Sequence, residues 1–362
     1  MYAIFARKLF LDMSKEKRLF INGRFLNQRV SGVQRFAIET TKEISKNKGI
    51  EVVLICSKRM KVNKELKSIK KIRVGFFWGH WWEQIELPLY LIFRKRPLLL
   101  NLTNSAPVMY FNKIYTLLDT SFKDIPKSFS WKFRIIYKAL APMCLKTSRK
   151  VVTISQFSKG RILTNYKFVN KDHISVVYCG IKKLKPKKNP PRENIILSVA
   201  SLDPRKNTKT LIEAFNLFNK DNKYKLILVG RAGKAFDHKG QLHENKNIIY
   251  ATDISDDELA LLYSKAKLYV SLSKYEGFGL PILEALLHKT PVLCSDIEVF
   301  KELFTGYVNF TETDSIKKIA ESFKTAMGSN IFTESKSINL QKKYNWEKTA
   351  KGILEASEII NS

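Results

Sequence analysis

The chain has 362 residues, of which 44% are hydrophobic, 12% aromatic and 27% charged, which is enough apolar material for about two ordinary domains. With a mean hydropathy of −0.20, this composition excludes a polytopic membrane protein, a collagen-like chain and a broadly disordered chain. The net charge of +31 is concentrated in residues 1–180, which carry 35 basic and 11 acidic side chains. A field of this sign attracts nucleic acid, anionic lipid or a phosphorylated substrate, although a general preference for lysine would also produce it.

The cysteines and the first residues place few further constraints on the chain. The four cysteines are spread out without a Cys-x-x-Cys pair, so neither a disulfide framework nor a zinc ribbon is predicted, and a reducing compartment fits best. Residues 1–13 are apolar but too short to span a bilayer, and they lack a small-residue cleavage site. Met13 offers an alternative start, which leaves open whether residues 1–12 belong to the native protein.

The first half of the chain has the pattern of a parallel sheet covered by helices. Short runs rich in Val, Ile, Leu and aromatic residues, each followed by a turn or helix signal, predict its strands. They are Leu19–Asn22, Ile50–Ser57, Ile72–Phe77, Leu98–Leu102, Tyr115–Leu118, Val151–Ile154 and Ile174–Val177. The segment 181–192 then carries six basic residues, three prolines and no acid, which is typical of a linker. We therefore expect one domain over 1–185 and a second over 186–343, with a helix at about 344–360 packing back on the first.

A second series of strands and helices follows the linker. Its predicted strands are Asn194–Ala200, Lys225–Val229, Ile248–Ala251, Lys267–Leu272 and Pro291–Cys294. Its predicted helices are Thr208–Asn219, Ser255–Lys265 and Pro281–His288, the second of which begins with a capping box formed by Ser255 and Glu258. Two α/β domains joined by a linker enclose a cleft, and ligands of such sheets bind beyond the carboxyl ends of the strands.

The string SLSKYEGFGLPILEA at residues 271–285 predicts an anion site. A strand ends near Ser273, Gly277 and Gly279 flank Phe278, and Pro281 begins a helix. Glycines let the backbone approach a ligand, and the exposed N–H groups at a helix N-terminus attract an anion. The carboxylates of Glu276 and Glu284 beside a phosphate make sense if they bind hydroxyls of a sugar or a ribose. The alternative is an ordinary strand, loop and helix with surface glutamates.

The string VASLDPRKNT at residues 199–208 supplies matching cations. Arg205 and Lys206 lie on the loop between a predicted strand and a predicted helix, at the carboxyl end of the sheet. A bidentate guanidinium and a compact ammonium together suit a diphosphate. A merely solvated basic loop is the alternative.

These residues resemble the retaining nucleotide-sugar glycosyltransferases of family 4. The E-G-F-G-L-P-x-x-E-A string at Glu276–Ala285 is similar to the signature of that family, and the P-R-K-N string at Pro204–Asn207 is similar to its diphosphate loop. The resemblance extends to the first half of the chain, through Ser31–Arg35, Trp82-Glu83-Gln84 with Leu87-Pro88, Ser155–Ser158 and Gly180. It implies the GT-B fold, an α/β class with two Rossmann-like domains facing each other across a cleft. In that fold the N-terminal domain, here 1–185, would bind the acceptor, and the C-terminal domain, here 186–343, would bind the nucleotide sugar. The Trp-Glu-Gln segment resembles bacterial polysaccharide mannosyl- and rhamnosyltransferases.

The resemblance also implies a role for each site residue. Arg205 and Lys206 would neutralise the diphosphate as its bond to the sugar breaks. Glu276 would bind a sugar hydroxyl and Glu284 the ribose diol. The backbone of Gly277, Phe278, Gly279 and Leu280 would contact the sugar and its phosphate. Gly32 would let the N-terminal loop approach the donor, and Ile254 would lie against the base.

One position departs from the family, which often has His-Asp at the end of an N-terminal strand. The matching pair here is Leu118-Asp119. Asp119 retains a hydrogen-bonding group for the donor or the acceptor, and capping of the following turn is its alternative role. No strict Asp-x-Asp motif is present and the five histidines have no metal-ligand spacing, so we expect neither a metal nor a cofactor beyond the donor itself. A Walker loop and a Gly-x-Gly-x-x-Gly fingerprint are also absent from the sequence.

The segment 76–100, with three tryptophans, an apolar stretch and Arg94-Lys95-Arg96, has two interpretations. Aromatic and cationic side chains along an apolar stretch suit an interfacial membrane segment. The alternative is a helix buried against the sheet. A lipid-diphosphate acceptor on an anionic leaflet would explain the membrane interpretation, because each Lys or Arg near such a surface contributes about 1 kcal/mol.

The sequence therefore predicts a glycosyltransferase that moves a sugar from a GDP-mannose-type or UDP-sugar donor to a lipid-linked or growing bacterial surface polysaccharide. It would act in the cytoplasm, on the inner face of the plasma membrane. Two other classes stay open, namely an epimerase or phosphorylase of the same fold and a non-catalytic glycan- or nucleic-acid-binding protein. Nucleic-acid binding is permitted by the charge, but no recognition helix or base-reading cluster is present in the sequence, so no nucleic-acid partner is predicted.

Overall fold

The computed structural model describes residues 17–28, 30–61, 64–181, 190–200, 203–230, 245–329 and 331–360. These residues form two parallel β-sheets flanked by helices, one sheet from each half of the chain. The predicted α/β class is therefore confirmed. The predicted boundary at 185/186 lies outside the described residues, and the assignment of separate roles to the two halves stays a prediction.

The strands of the N-terminal sheet pair in the order β3-β2-β1-β4-β5-β6-β7, and those of the C-terminal sheet in the order β10-β9-β8-β11-β12-β13. The N-terminal strands are β1 (Lys17–Asn22), β2 (Ile50–Cys56), β3 (Lys70–Arg73), β4 (Leu99–Asn101), β5 (Lys113–Thr116), β6 (Lys150–Thr153) and β7 (Ile174–Val176). The C-terminal strands are β8 (Glu193–Val199), β9 (Lys225–Val229), β10 (Ile248–Ala251), β11 (Ala266–Ser271), β12 (Val292–Ser295) and β13 (Asn309–Thr311). Strand order reverses between β1 and β4 and between β8 and β11, and ligands of open α/β sheets bind at such switch points.

Helices connect the parallel strands and cover the sheets. In the first half they are Gly32–Ile44, Gly79–Trp81, Leu87–Ile92, Ser121–Asp124, Trp131–Thr147 and Gln156–Asn165, with a π-helical turn over Trp82–Glu86. In the second half they are Thr208–Phe218, Asp256–Lys265, Leu280–Leu287, Glu298–Phe304, Ile316–Met327, Glu334–Lys343 and Trp346–Ala356. The capping box predicted for Ser255 and Glu258 is present.

The strand predicted over Ile72–Phe77 ends earlier, at Arg73. Gly75 adopts a positive φ of 67°, which turns the chain out of the sheet. The carboxylate of Glu86 then accepts the backbone N–H groups of Phe76 and Phe77, each at 2.9 Å. These N–H groups are therefore satisfied by a side chain rather than by a neighbouring strand.

The last helix, Trp346–Ala356, crosses back and packs on the N-terminal helix Gly32–Ile44. The ring of Trp346 makes an edge contact with Phe36 at 6.2 Å between centroids. The hydroxyl of Thr349 donates to the carbonyl of Tyr178 at 2.8 Å. The chain thus passes between the two sheets twice.

The segment 79–93 has two apolar faces, one of which is buried and the other exposed. Trp82, Leu87 and Leu91 are fully buried against the N-terminal sheet. A second apolar stripe at helical spacing is open to solvent and consists of Trp81 (69% exposed), Ile85, Leu89 and Phe93 (83% exposed). The buried face agrees with a helix packed against the sheet, and the membrane interpretation stays a prediction. In the described part of the chain, no helix combines the length and apolarity needed to cross a membrane.

Candidate active site

The two strings singled out in the sequence meet at the switch point of the C-terminal sheet. The turn Pro204–Lys206 follows β8, and the glycine-rich turn follows β11. The backbone N–H of Lys274 donates to the carbonyl of Arg205 at 2.8 Å, which ties the loops together. The ammonium of Lys206 forms an ion pair with Glu276. The two cations and the carboxylate that precedes the glycine-rich turn therefore share one site, as the sequence predicts.

Local backbone geometry explains why these loops have their shape. Asp203 caps the Pro204–Lys206 turn by accepting the N–H of Arg205 at 3.0 Å. Asn207 adopts left-handed geometry with φ of 55° and begins the helix Thr208–Phe218. Gly279 adopts φ of 110° before the helix Leu280–Leu287, and a Cβ there would lie 2.8 Å from the ring of Phe300. An L side chain at position 279 would therefore be strained and crowded.

The partly buried charges of this site stabilise one another. Burial works to raise the pKa of Glu276, but Lys206 and Arg205 outweigh it and hold the pKa below its ordinary value. Ser273 also donates to this carboxylate at 2.9 Å. For Arg205, burial opposes the charge, but Glu276, Asp203 and Asp119 together raise its pKa. The site therefore keeps a charged carboxylate next to two cations near neutral pH.

The guanidinium of Arg205 is oriented but has donors to spare. Its Nε donates to Asp203 at 2.8 Å, and the ring of Phe129 from the N-terminal half lies 5.7 Å from the guanidinium carbon. Among the residues that the structure describes, neither Nη1 nor Nη2 has a hydrogen-bond partner. These two groups form the fork that suits a phosphate.

Glu284 lies apart from this ion pair, on the inner face of the helix Leu280–Leu287. The hydroxyl of Tyr263 donates to Glu284 at 2.9 Å. Arg35 is near enough to lower its pKa, but burial dominates and raises the pKa of Glu284 above its ordinary value. Arg35 also forms an ion pair with Asp256 at 2.8 Å, which joins the two halves of the chain.

Asp119 reaches the glycine-rich turn from the opposite side of the cleft. A Cβ on Gly277 would lie 3.2 Å from Oδ2 of Asp119, and Oδ1 accepts the N–H of Ser121 at 2.9 Å. Turn capping and cleft contact are therefore both present at Asp119. Leu118 is buried in the core.

Further contacts hold the two halves together around this turn. Ser155 donates to the carbonyl of Gly277 at 2.9 Å, and the hydroxyl of Tyr275 donates to Asp124 at 2.9 Å. The carboxylate of Glu302 accepts the N–H groups of Gln156 and Phe157 at 2.9 and 2.7 Å. The cleft is closed at this end in the structure.

The remaining predicted residues have different environments. The side chain of Phe278 is buried between Tyr178 and Tyr344, so only its backbone faces the turn. Leu280 is partly buried beside Glu284, and Ile254 packs on the edge of the core. A Cβ on Gly32 would meet no atom within 4 Å, so the space beside Gly32 is open.

Sequence reasoning did not single out Arg35 or Phe129 as site residues. Arg35 could have been found from the sequence, because it lies three positions after Gly32 in the same N-terminal string. No sequence pattern pointed to Phe129, because its contact with Arg205 depends on how the two halves pack. Within the described ranges, no three His, Cys, Asp or Glu side chains are placed to share a metal, and metal independence stays a prediction.

Comparisons with known proteins agree with this geometry. Residues 181–355 match the family model described as glycosyl transferases group 1. The O-antigen chain mannosyltransferase RfbU of Salmonella typhimurium is 29% identical over 69% of this chain and 70% of its own length. The serotype-specific mannosyltransferase WbdA of Escherichia coli is 32% identical over 45% of this chain, which spans only 21% of WbdA.

A solved structure shows the same architecture over nearly the whole chain. HepE of Anabaena, solved in complex with UDP and glucose, has a TM-score of 0.69 at 16% identity and covers 95% of this chain and 100% of its own. At that identity the likeness concerns the fold. Residues 181–355 therefore match a group 1 glycosyltransferase domain, and the chain as a whole has the architecture of the GT-B glycosyltransferases.

Proposed function

We propose that the enzyme transfers a sugar from a nucleoside-diphosphate donor to a lipid-linked, growing bacterial surface polysaccharide, with retention of anomeric configuration. The observation that carries this proposal is the convergence of Arg205, Lys206 and Glu276 at the switch point between β8 and β11. The surface-polysaccharide acceptor is supported by the O-antigen mannosyltransferases among the relatives. Those mannosyltransferases favour a GDP-mannose-type donor, while the UDP in HepE keeps a UDP-sugar as the second candidate.

The chemistry follows from the charges around the cleft. As the bond between sugar and diphosphate breaks, negative charge grows on the departing phosphate. Nη1 and Nη2 of Arg205, which have no partner in the described part of the chain, and the ammonium of Lys206 stabilise that charge. The carboxylate of Glu276 accepts a hydrogen bond from a sugar hydroxyl, and this bond replaces its contact with Lys206. Asp119, on the facing side of the turn, accepts a hydrogen bond from the incoming acceptor or from the sugar. Arg205 and Asp119 are already held by hydrogen bonds with Asp203 and Ser121, so little reorganisation is needed at these two residues.

A panel of nucleotides and acceptors tests this proposal. The melting temperature is measured with GDP, UDP and their sugar conjugates, since a ligand that binds only the folded state raises it. Product analysis by NMR with the best donor then reports the anomeric configuration. Release of the nucleotide only when a glycan acceptor is present supports a transferase. Interconversion of nucleotide sugars without an acceptor supports an epimerase, and tight duplex binding near 0.2 M salt without nucleotide binding supports a nucleic-acid protein.

The pH dependence of nucleotide binding tests the role of Glu284. Because burial raises its pKa, Glu284 takes up its proton at a higher pH than an ordinary glutamate does. A ribose diol donates to the carboxylate, so we expect the Kd for GDP or UDP to rise as pH falls through the raised pKa. In Glu284→Gln the Kd should be higher at pH 8 and nearly flat down to pH 5. Titration calorimetry measures both curves, and a flat wild-type curve would contradict the assignment.

The proposal includes attachment to the inner face of the plasma membrane, where a lipid-linked acceptor is found. Its support is the exposed stripe of Trp81, Ile85, Leu89 and Phe93, followed by Arg94-Lys95-Arg96. The neighbouring helix Trp131–Thr147 exposes a second apolar face, which contains Trp131, Ile135, Ile136 and Met143. That helix carries four basic side chains and no acidic one. Apolar side chains with interspersed cations match an anionic bilayer surface.

Vesicle binding separates this surface from the rest of the molecule. We expect Trp81→Ser with Phe93→Ser to lower binding to phosphatidylglycerol-containing vesicles about tenfold, because two large apolar groups no longer leave water. Leu217→Ser with Ile338→Ser removes two exposed apolar side chains from the second half of the chain and serves as the matched control. Flotation at low and high salt measures vesicle binding by both double variants, and binding should weaken as the salt concentration rises. Equal loss in both double variants would contradict this surface.

A further inference from the structure

A column of stacked aromatic rings connects the interior of the N-terminal half to Arg205. The rings of Phe129 and Phe133 stack at 5.1 Å with planes 13° apart, and those of Phe133 and Tyr137 at 4.2 Å with planes 20° apart. The guanidinium carbon of Arg205 lies over the ring of Phe129, 5.7 Å from its centroid. The column therefore begins in one half of the chain and ends on a cation that belongs to the other.

The far end of the column is fixed by a buried charge cluster. Tyr137 is buried and makes an edge contact with His80 at 5.9 Å. His80 lies 3.4 Å from the buried carboxylate of Glu83, and the ring Nε2 of His80 accepts from Arg24 at 2.9 Å when His80 is neutral. Phe129 itself lies between the turn Pro126–Ser128 and the N-cap Ser130 of the helix Trp131–Thr147. The ring of Phe129 is thus held in place from its own side of the cleft.

We propose that Phe129 is a positioning residue for Arg205 that acts across the cleft. Asp203 holds one edge of the guanidinium through Nε, and the ring of Phe129 supports its face. Two contacts of this kind orient a planar group, and neither Nη1 nor Nη2 has a hydrogen-bond partner among the described residues. Stacking on a ring uses none of these donors. Arg205 is therefore fully oriented only while the two halves of the chain are closed on each other.

This inference rests on the proposed function and extends it, since it names a residue of the acceptor-side half that controls the leaving-group site. When the halves separate, Arg205 keeps its bond to Asp203 but loses the ring. Stabilisation of the departing diphosphate is thereby coupled to closure. Hydrolysis or transfer from an open enzyme would accordingly be slow.

The first experiment replaces the ring while keeping its apolar volume. Phe129→Leu should lower kcat/KM for the donor about 3- to 30-fold, the range that a partly desolvated cation–π contact provides. Phe129→Tyr keeps the ring and should restore nearly normal values. Phe168→Leu is the control. It removes the ring of a similar pair elsewhere in the sequence, in which the ammonium of Lys146 lies 4.9 Å from the ring centroid, and it should leave kcat/KM unchanged. Unchanged melting temperatures show that all three variants fold.

The second experiment is a double-mutant cycle, which separates positioning from general packing. In the background of Arg205→Ala, Phe129→Leu should have no further effect on kcat/KM, because nothing is left to position. Losses that multiply in the double variant, or full activity of Phe129→Leu alone, would overturn the proposal. The same cycle is also measured on the Kd for GDP and UDP. If wild-type protein binds these nucleotides but transfers no sugar, the proposed reaction fails, while coupling in Kd still decides the role of Phe129.

Discussion

Replacing Arg205 or Lys206 by Ala should lower kcat by about 100-fold or more. Each side chain supplies charge where the departing diphosphate becomes more negative, and removal of a single preorganised donor from such a site costs about 100- to 1000-fold. Steady-state kinetics with the donor identified by the nucleotide panel measures the loss. We expect Arg205→Lys to recover only part of it, because a single ammonium lacks the fork that Nη1 and Nη2 provide.

The effect of Lys206→Ala has a second source, which the melting temperature separates from the first. Without Lys206, the partly buried carboxylate of Glu276 loses a contact that holds its pKa down, so we expect the variant to be less stable as well as less active. Lys206→Ala with Glu276→Gln should regain stability but not activity. Lys209→Ala is the matched control, since Lys209 is 89% exposed in its side chain on the adjoining helix. Near-normal kinetics in Arg205→Ala and Lys206→Ala would refute the assignment of the site.

The largest expected effect on folding comes from Gly180→Ala. A Cβ at this position would lie 2.5 Å from Cα of Trp346 and 2.6 Å from the carbonyl carbon of Asn345. Both are backbone atoms, so the two chain segments must move apart. Overpacking of this kind costs about 1–3 kcal/mol of the free energy of unfolding. Chemical denaturation measures it.

Gly160→Ala provides the comparison for this substitution. Gly160 lies inside the helix Gln156–Asn165, and a Cβ there would meet no atom within 4 Å. Alanine in a helix interior is favoured over glycine by about 0.5–1 kcal/mol, so this variant should be as stable as the wild type or more so. If Gly180→Ala is equally well tolerated, the close packing of the two segments is wrong.

Most strands of the fold were predictable because they are buried on both faces and appear as continuous apolar runs. The exceptions have physical causes. Strand β13 begins with Asn309 and lies at the edge of its sheet, so it lacks the apolar run. Strand β5 was predicted over Tyr115–Leu118, but it begins two residues earlier, at Lys113, a residue that is unusual inside a sheet. The ammonium of Lys113 is fully buried and satisfied by the carbonyls of Tyr110 and Thr147, an arrangement that only the tertiary structure reveals.

The candidate site was predictable where it depends on loops that follow strands. Arg205, Lys206 and Glu276 follow β8 and β11, and parallel strands bring the loops after their carboxyl ends to one edge of the sheet. The ion pair between Arg35 and Asp256 and the ring contact between Phe129 and Arg205 join residues far apart in the sequence. No local pattern encodes them, since they arise only when the two halves close.

The two connections between the halves of the chain lie against each other where the first one begins. Gly180 packs on Trp346, and the N–H of Ile181 donates to the carbonyl of Tyr344 at 3.2 Å. These residues cannot separate without breaking that hydrogen bond. A substitution that forces them apart, such as Gly180→Ala, therefore disturbs both connections between the halves at once.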